Sequence, residues 1–181
     1  LKKFSLQSIY TKVFIILFVF STLYVLPIIL FNTWFNDDLG ITLYGVTGLN
    51  GDGRPLGQLL SDFLSGGGIV ADIGPLPLLC SMLILSYSLV LYAKENIPFS
   101  EHHILLSFVL LTVLTNPLGM SILFYRTGGC VMITALSIPF LLFSFNDEIA
   151  TWIIGIAAFV SGIAIMSLYQ AAFGMCLVLV C

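Results

Sequence analysis

The sequence predicts an all-α polytopic membrane protein, and three observations predict it. Of 181 residues, 59% are hydrophobic and 8% charged, and the mean hydropathy of +1.12 lies well beyond that of a soluble domain. The apolar residues fall in long runs rather than in period-two alternation, so the helix is the element that satisfies its own backbone in hydrocarbon. Every Asp, Glu, Lys and Arg stands at the end of such a run or between two of them.

The first run, residues 13–31, is long enough to cross roughly 30 Å of hydrocarbon, with Pro27 near its far end where a kink is tolerated. Lys2, Lys3 and Lys12 before it suggest a cleaved secretory signal as the rival reading. The run is longer than a signal core and no small-residue cleavage site follows it, so an uncleaved span is expected. A polar loop, 32–74, leads to a second run at 75–93. A third, 99–115, is short for a bilayer and is closed by Asn116-Pro117, because proline lacks an N–H and pushes the preceding residue out of the helical region. It starts near Pro98 or stops short of a full crossing. The fourth run, 129–145, ends at Asn146, Asp147 and Glu148; the fifth covers 149–168; the sixth, 171–181, is incomplete.

The chain begins at Leu1 and stops at Cys181 inside an apolar run, so the expected organisation is a single transmembrane domain truncated at its C-terminus. No internal repeat is evident. The four cysteines, Cys80, Cys130, Cys176 and Cys181, show no metal spacing and read as buried small hydrophobes. Orientation follows from the basic residues: Lys2, Lys3, Lys12 and Lys94 alternate to one side, which is then cytoplasmic, and Arg54 and Arg126 to the exported side.

Loop 32–74 carries five of the nine acidic residues. Trp34 has the place of an interfacial anchor, which sets Asp37 and Asp38 just outside the hydrocarbon. Mutual repulsion of adjacent carboxylates can raise the pKa of one and make it a general base near neutral pH; the alternative is a pair of solvated loop residues. Further on, Gly51-Asp52-Gly53 is turn-prone, and Pro55 suits the first position of a helix. In PLGQLLSDFLS, Leu56, Leu59, Leu60, Phe63 and Leu64 fall on one face at three- and four-residue spacing. That pattern predicts a short amphipathic surface helix ended by Gly66 to Gly68.

Arg54, at the N-terminus of that helix, suits a lipid phosphate, or it pairs with Asp52 or another loop carboxylate. Asp72 caps the second span or pairs with Arg54 or Arg126. Tyr125 stacks on a sugar or belongs to an aromatic belt, and Arg126 contacts phosphate or anchors at the interface. Tyr169 and Gln170 lie between the fifth and sixth runs, where Gln170 reaches sugar hydroxyls or bonds another helix. His102 and His103 fall on the cytoplasmic side and are expected to be neither ligands nor bases.

The stretches FNDDLG, DGRPLGQLL, ADIGPLPLL, TNPLGMSILFYRTGGCVMITALSIPFLL and SLYQAAFG occur in an order and spacing that resembles the type II glucosyltransferases of O-antigen conversion. These are part of the C-type superfamily of membrane glycosyltransferases. Thr127-Gly128-Gly129 departs from the more polar run expected after the Tyr-Arg pair. The resemblance implies a C-type helix bundle in a bacterial inner membrane, serotype-converting transfer of glucose from undecaprenyl phosphate-glucose to a lipopolysaccharide O-antigen sugar, and a periplasmic site. It also implies a flippase and a cytoplasmic synthase that supply the donor.

On this reading Asp37 or Asp38 is the base, Arg54 and Arg126 bind the donor phosphate, and Asp72, Tyr125, Tyr169 and Gln170 contact sugar. No cofactor is expected. A divalent cation on Asp37 and Asp38 lacks a clear third ligand, and no nucleic-acid partner is expected. The rivals are a transporter or flippase of lipid-linked sugars and a non-enzymatic membrane subunit. Transporters usually set ionisable groups near the midplane, and this sequence has none there.

Overall fold

Thirty consecutive residues without glycine, uncharged beyond Lys12, form the first helix, α1 (Lys2–Phe31), which starts eleven residues before the apolar run itself. In this computed structural model the described residues are 2–31, 41, 43–45, 48–67, 75–97, 102–115, 128–145 and 149–180. The helices that follow are α2 (Pro55–Leu64), α3 (Leu76–Asn96), α4 (His103–Thr115), α5 (Gly129–Leu142), α6 (Thr151–Leu168) and α7 (Phe173–Val180), with a 3-10 turn at Gln170–Ala172. No strand occurs among the described residues, and the chain is an all-α membrane protein.

Three stretches are long and apolar enough to cross a bilayer: Ile9–Phe31, Leu76–Asn96 and Thr151–Leu168. The shorter α4 and α5 have 13 and 14 residues. At 1.5 Å per residue each reaches only about 20 Å, short of the roughly 30 Å of a hydrocarbon core. Of the two outcomes expected of the third apolar run, the described helix, His103–Thr115, matches the one that stops short of a full crossing.

Local chemistry sets several boundaries. α3 opens on Pro75 and Pro77, whose missing N–H groups cost nothing in a first turn, and it closes at Ile97, which is extended (φ −105°, ψ 123°) because Pro98 follows. Four buried serine hydroxyls return to their own helix, whereas Ser86 Oγ and Thr22 Oγ1 find no partner among the described residues. Ser21, Ser81, Ser88 and Ser137 donate to the carbonyls of Leu17, Leu78, Leu85 and Ile133, which satisfies each without a partner helix.

α5 is the central element, apolar on all sides because all its sides are covered. It packs chiefly on α3 and also meets α6, α7 and α2, while α1 packs on α4 and α3. One core cluster joins α1, α3, α4 and α5 through Leu17, Met82, Leu85, Leu89, Leu114 and Ile133. A second joins the start of α5 to the end of α6 through Cys130, Val131, Ala135, Ile165 and Leu168, with Leu60 and Leu64 of α2 packed against it. Cys130 is buried, whereas Cys80 is exposed on the outer face of α3, where a small apolar thiol suits a lipid-facing position.

The bundle has two distinguishable ends. At one, Asn96 Nδ2 donates to the carbonyl of Tyr92 (3.0 Å) and to that of Phe143 (2.7 Å), which ties the C-termini of α3 and α5 together beside Lys94. At the other, α2 lies against the start of α5 and the end of α6. Arg54 and Lys94 thus stand at opposite ends, separated by the length of α5.

Candidate functional site

The site begins with a tight turn. Arg54 N donates to the Leu49 carbonyl at 2.8 Å and Gly53 N to that of Asn50 at 3.2 Å, which folds residues 49–54 back on themselves. Gly53 has φ +75°, a left-handed conformation that a Cβ would penalise. Pro55 then occupies the first helical position, its lack of an N–H harmless there, and Gln58 N closes the first turn on the Arg54 carbonyl at 3.0 Å. Arg54 is thereby fixed at the N-terminus of α2 by backbone bonds on both sides.

The docking face of α2 is made of small residues. Gly57 and Ser61, four apart, are buried, and a Cβ on Gly57 would stand 3.2 Å from Val131 Cγ1, 3.4 Å from Leu49 Cδ1 and 3.5 Å from the Leu168 carbonyl oxygen. Small residues at this spacing let helices approach closely. The apolar stripe seen in the sequence is consequently divided. Leu60 and Leu64 pack on the second core cluster, while Leu59 and Phe63 are exposed, Phe63 by 80%. The helix ends with Gly66 N on the Phe63 carbonyl and Gly67 N on that of Asp62, the paired bonds of a left-handed helix stop.

Arg54 meets two residues from 115 and 116 positions further along the chain. α6 stops where Tyr169 turns extended (φ −159°, ψ 104°), and Gln170 opens the 3-10 turn that leads into α7. This break delivers both side chains to the Arg54 turn. Arg54 Nε donates to Gln170 Oε1 at 3.2 Å, and the guanidinium carbon lies 5.3 Å from the centre of the Tyr169 ring, within cation-π range. Gln170 Nε2 in turn points to the Asp52 carbonyl oxygen at 3.5 Å. All three residues are partly buried.

Of the expected site residues, the structure therefore brings together Arg54, Tyr169 and Gln170. Among the described residues no carboxylate pairs with Arg54; Asp52 takes part through its backbone, and the ion pair present is Lys94–Glu95 at 2.9 Å. Gln170 forms an interhelical bond, one of the two roles read for it, but with an arginine. Asp37, Asp38, Asp72, Tyr125 and Arg126 lie outside the described residues, as do Trp34, Gly68, Asn116, Pro117, Asn146, Asp147, Glu148, Cys181 and the side chains of Lys2 and Lys3. Among the described residues no group of three His, Cys, Asp or Glu could hold a metal. The sequence reading passed over Gly57 and Ser61, although the Gly-x-x-x-Ser spacing was its available signal.

The arrangement holds a cation whose charge no carboxylate among the described residues cancels. With Nε engaged, the two terminal nitrogens of Arg54 make no bond among the described residues, and they form the planar fork that grips two oxygens of an anion. The site lies beside a surface helix that exposes apolar side chains.

Comparison with known proteins agrees with this setting. Residues 26–181 match the family described as glucosyl transferase GtrII. The chain is 31% identical over 165 residues to an uncharacterized 55.3 kDa protein in the gtrB 5' region of Salmonella phage P22. The match covers 89% of this chain and 33% of that protein, so the chain spans about a third of its relative's length. No solved structure matches it.

Proposed function

Since the chain belongs to the glucosyl transferase GtrII family, we propose that it contributes the donor-phosphate site of a membrane glucosyltransferase that uses undecaprenyl phosphate-glucose and modifies an O-antigen sugar. The observation that carries this reading is Arg54, which has no carboxylate partner among the described residues and is held at the start of a surface helix by Tyr169 and Gln170. A lipid-linked phosphate presents its anion at the depth where such a helix lies, with its prenyl chain in the hydrocarbon that Leu59 and Phe63 face. The relative's place in the gtrB region supports the O-antigen setting.

In the proposed reaction the acceptor hydroxyl attacks the anomeric carbon of glucose from the face opposite the phosphate. The new C–O bond forms as the bond to the phosphate oxygen breaks, so the configuration inverts. The hydroxyl proton passes to Asp37 or Asp38, and the electron pair leaves with undecaprenyl phosphate. Arg54, with Arg126 as a second cation, stabilises the charge that develops on that phosphate. Tyr125 and Asp72 contact sugar. The site faces the periplasm of a bacterial inner membrane, Lys94 lies at the cytoplasmic end, and a flippase and a synthase supply the donor. The proposed mechanism requires no metal.

The test uses the full-length protein in membranes, radiolabelled undecaprenyl phosphate-glucose and O-antigen acceptor. Arg54→Ala is expected to raise the KM for donor, and Asp37→Asn or Asp38→Asn to lower kcat by two orders of magnitude or more, an effect on the order of that of a lost general base. Undiminished transfer by both aspartate variants overturns the base assignment, and an unchanged donor KM in Arg54→Ala overturns the phosphate site.

A further inference from the structure

We infer that Gln170 and Tyr169 are positioning residues, which hold the Arg54 guanidinium so that its two terminal nitrogens face the lipid-linked phosphate end-on. The inference rests on the reading of Arg54 as a phosphate ligand. An arginine can offer an anion either its side edge, Nε with one terminal nitrogen, or its end, the two terminal nitrogens. Here Nε already donates to Gln170 at 3.2 Å, so the side edge is engaged and the end remains. The guanidinium carbon stands over the Tyr169 ring, 5.3 Å from its centre, a cation-π contact that helps to hold the group in place.

Gln170 is itself braced. Its Nε2 approaches the Asp52 carbonyl at 3.5 Å and would lie 3.8 Å from a Cβ on Gly53, so its amide sits across the turn that carries Arg54. Both ends of the amide are thus used inside the clamp, which separates this role from direct sugar contact.

The neutrality of residue 170 is the telling feature. A carboxylate here would hold Nε at least as well, because charge strengthens the bond, yet it would cancel the charge that an incoming phosphate needs. An amide orients the guanidinium and leaves its charge in place. If the contact served only to fasten α6 to the turn, glutamate would serve as well or better.

The full-length protein in detergent tests this, with inhibition of glucose transfer by undecaprenyl monophosphate and the KM for acceptor as readouts. Gln170→Ala is expected to weaken the inhibitor about tenfold, the typical scale of a hydrogen bond to a charged group. Gln170→Glu, nearly isosteric, is expected to weaken it further, and neither moves the acceptor KM. Both effects vanish in an Arg54→Ala background, as they must if residue 170 acts through Arg54.

An equal loss in that background, a shift in acceptor KM instead, or wild-type inhibition of Gln170→Glu overturns the positioning role. Inhibition unaffected by Arg54→Ala alone would overturn the phosphate reading, a separate failure. Should Gln170→Ala not fold, Gln170→Glu decides the case by itself.

Discussion

Arg54 shows how one side chain's surroundings set what it can do. Nε serves Gln170 while the guanidinium carbon stands over the Tyr169 ring, so a lysine in its place would keep the charge but lose the planar fork that bonds Gln170 along one edge and leaves two nitrogens free at the end. Arg54→Lys is therefore expected to raise the KM for the lipid-phosphate donor by about an order of magnitude, close to the effect of Arg54→Ala, as steady-state transfer kinetics would reveal. At Tyr169 the ring matters and the hydroxyl does not. Tyr169→Phe should leave donor KM near wild type, whereas Tyr169→Leu should raise it by a few fold, in keeping with a partly exposed cation-π contact of about 0.5–1 kcal/mol. Equal effects of the two substitutions would show that the contact is not one between the cation and the ring.

At the scale of the element, α2 is held by the absence of side chains. The 3.2 Å that a Cβ on Gly57 would have to Val131 means that alanine needs a shift of a few tenths of an ångström, while leucine cannot be housed between Val131, Leu49 and the Leu168 carbonyl. Gly57→Leu is expected to lift α2 from its seat and destabilise the protein by about 1–3 kcal/mol, the usual scale of overpacking, as thermal unfolding in detergent would register. Donor affinity should fall with it, because Arg54 leads this helix. Phe63→Ser makes the opposite test. Phe63 is 80% exposed, so its loss should leave the unfolding midpoint in detergent unchanged but weaken transfer in vesicles, where that face meets lipid. A lowered midpoint would place Phe63 in the packing instead.

For the whole molecule, the decisive feature is that α3 and α5 run parallel with their ends differently employed. The Asn96 amide binds the Phe143 carbonyl at one end, and the Arg54 clamp sits at the other. Asn96→Ala is expected to cost about 1 kcal/mol of stability, the net worth of an ordinary hydrogen bond, with no change in donor KM because the two sites share no partner. A change in donor KM would indicate that α5 couples its ends. α6 buries only Ile165 and Leu168 of its 18 residues, and yet its C-terminal break supplies two of the three clamp residues.

Much of this was legible in the sequence because it depends on local chemistry. Apolar runs and the scarcity of charge determined an all-α membrane protein. Pro55 with the turn glycines set the start of α2, while the second run, read to residue 93, continues as helix to Asn96; Arg54, Tyr169 and Gln170 could each be singled out by residue type and by position at a helix end. Periodicity failed where it saw a single apolar stripe on α2, since hydropathy does not register that the buried face is Gly57 and Ser61, whose contribution is the room they leave. What only the tertiary structure decided is that Arg54 meets Tyr169 and Gln170. Their side chains bond across more than a hundred residues, and no local pattern encodes a partner that distant; it follows from how α2 seats on α5 and α6. By the same packing, Arg54 is held by a neutral amide and by no carboxylate among the described residues.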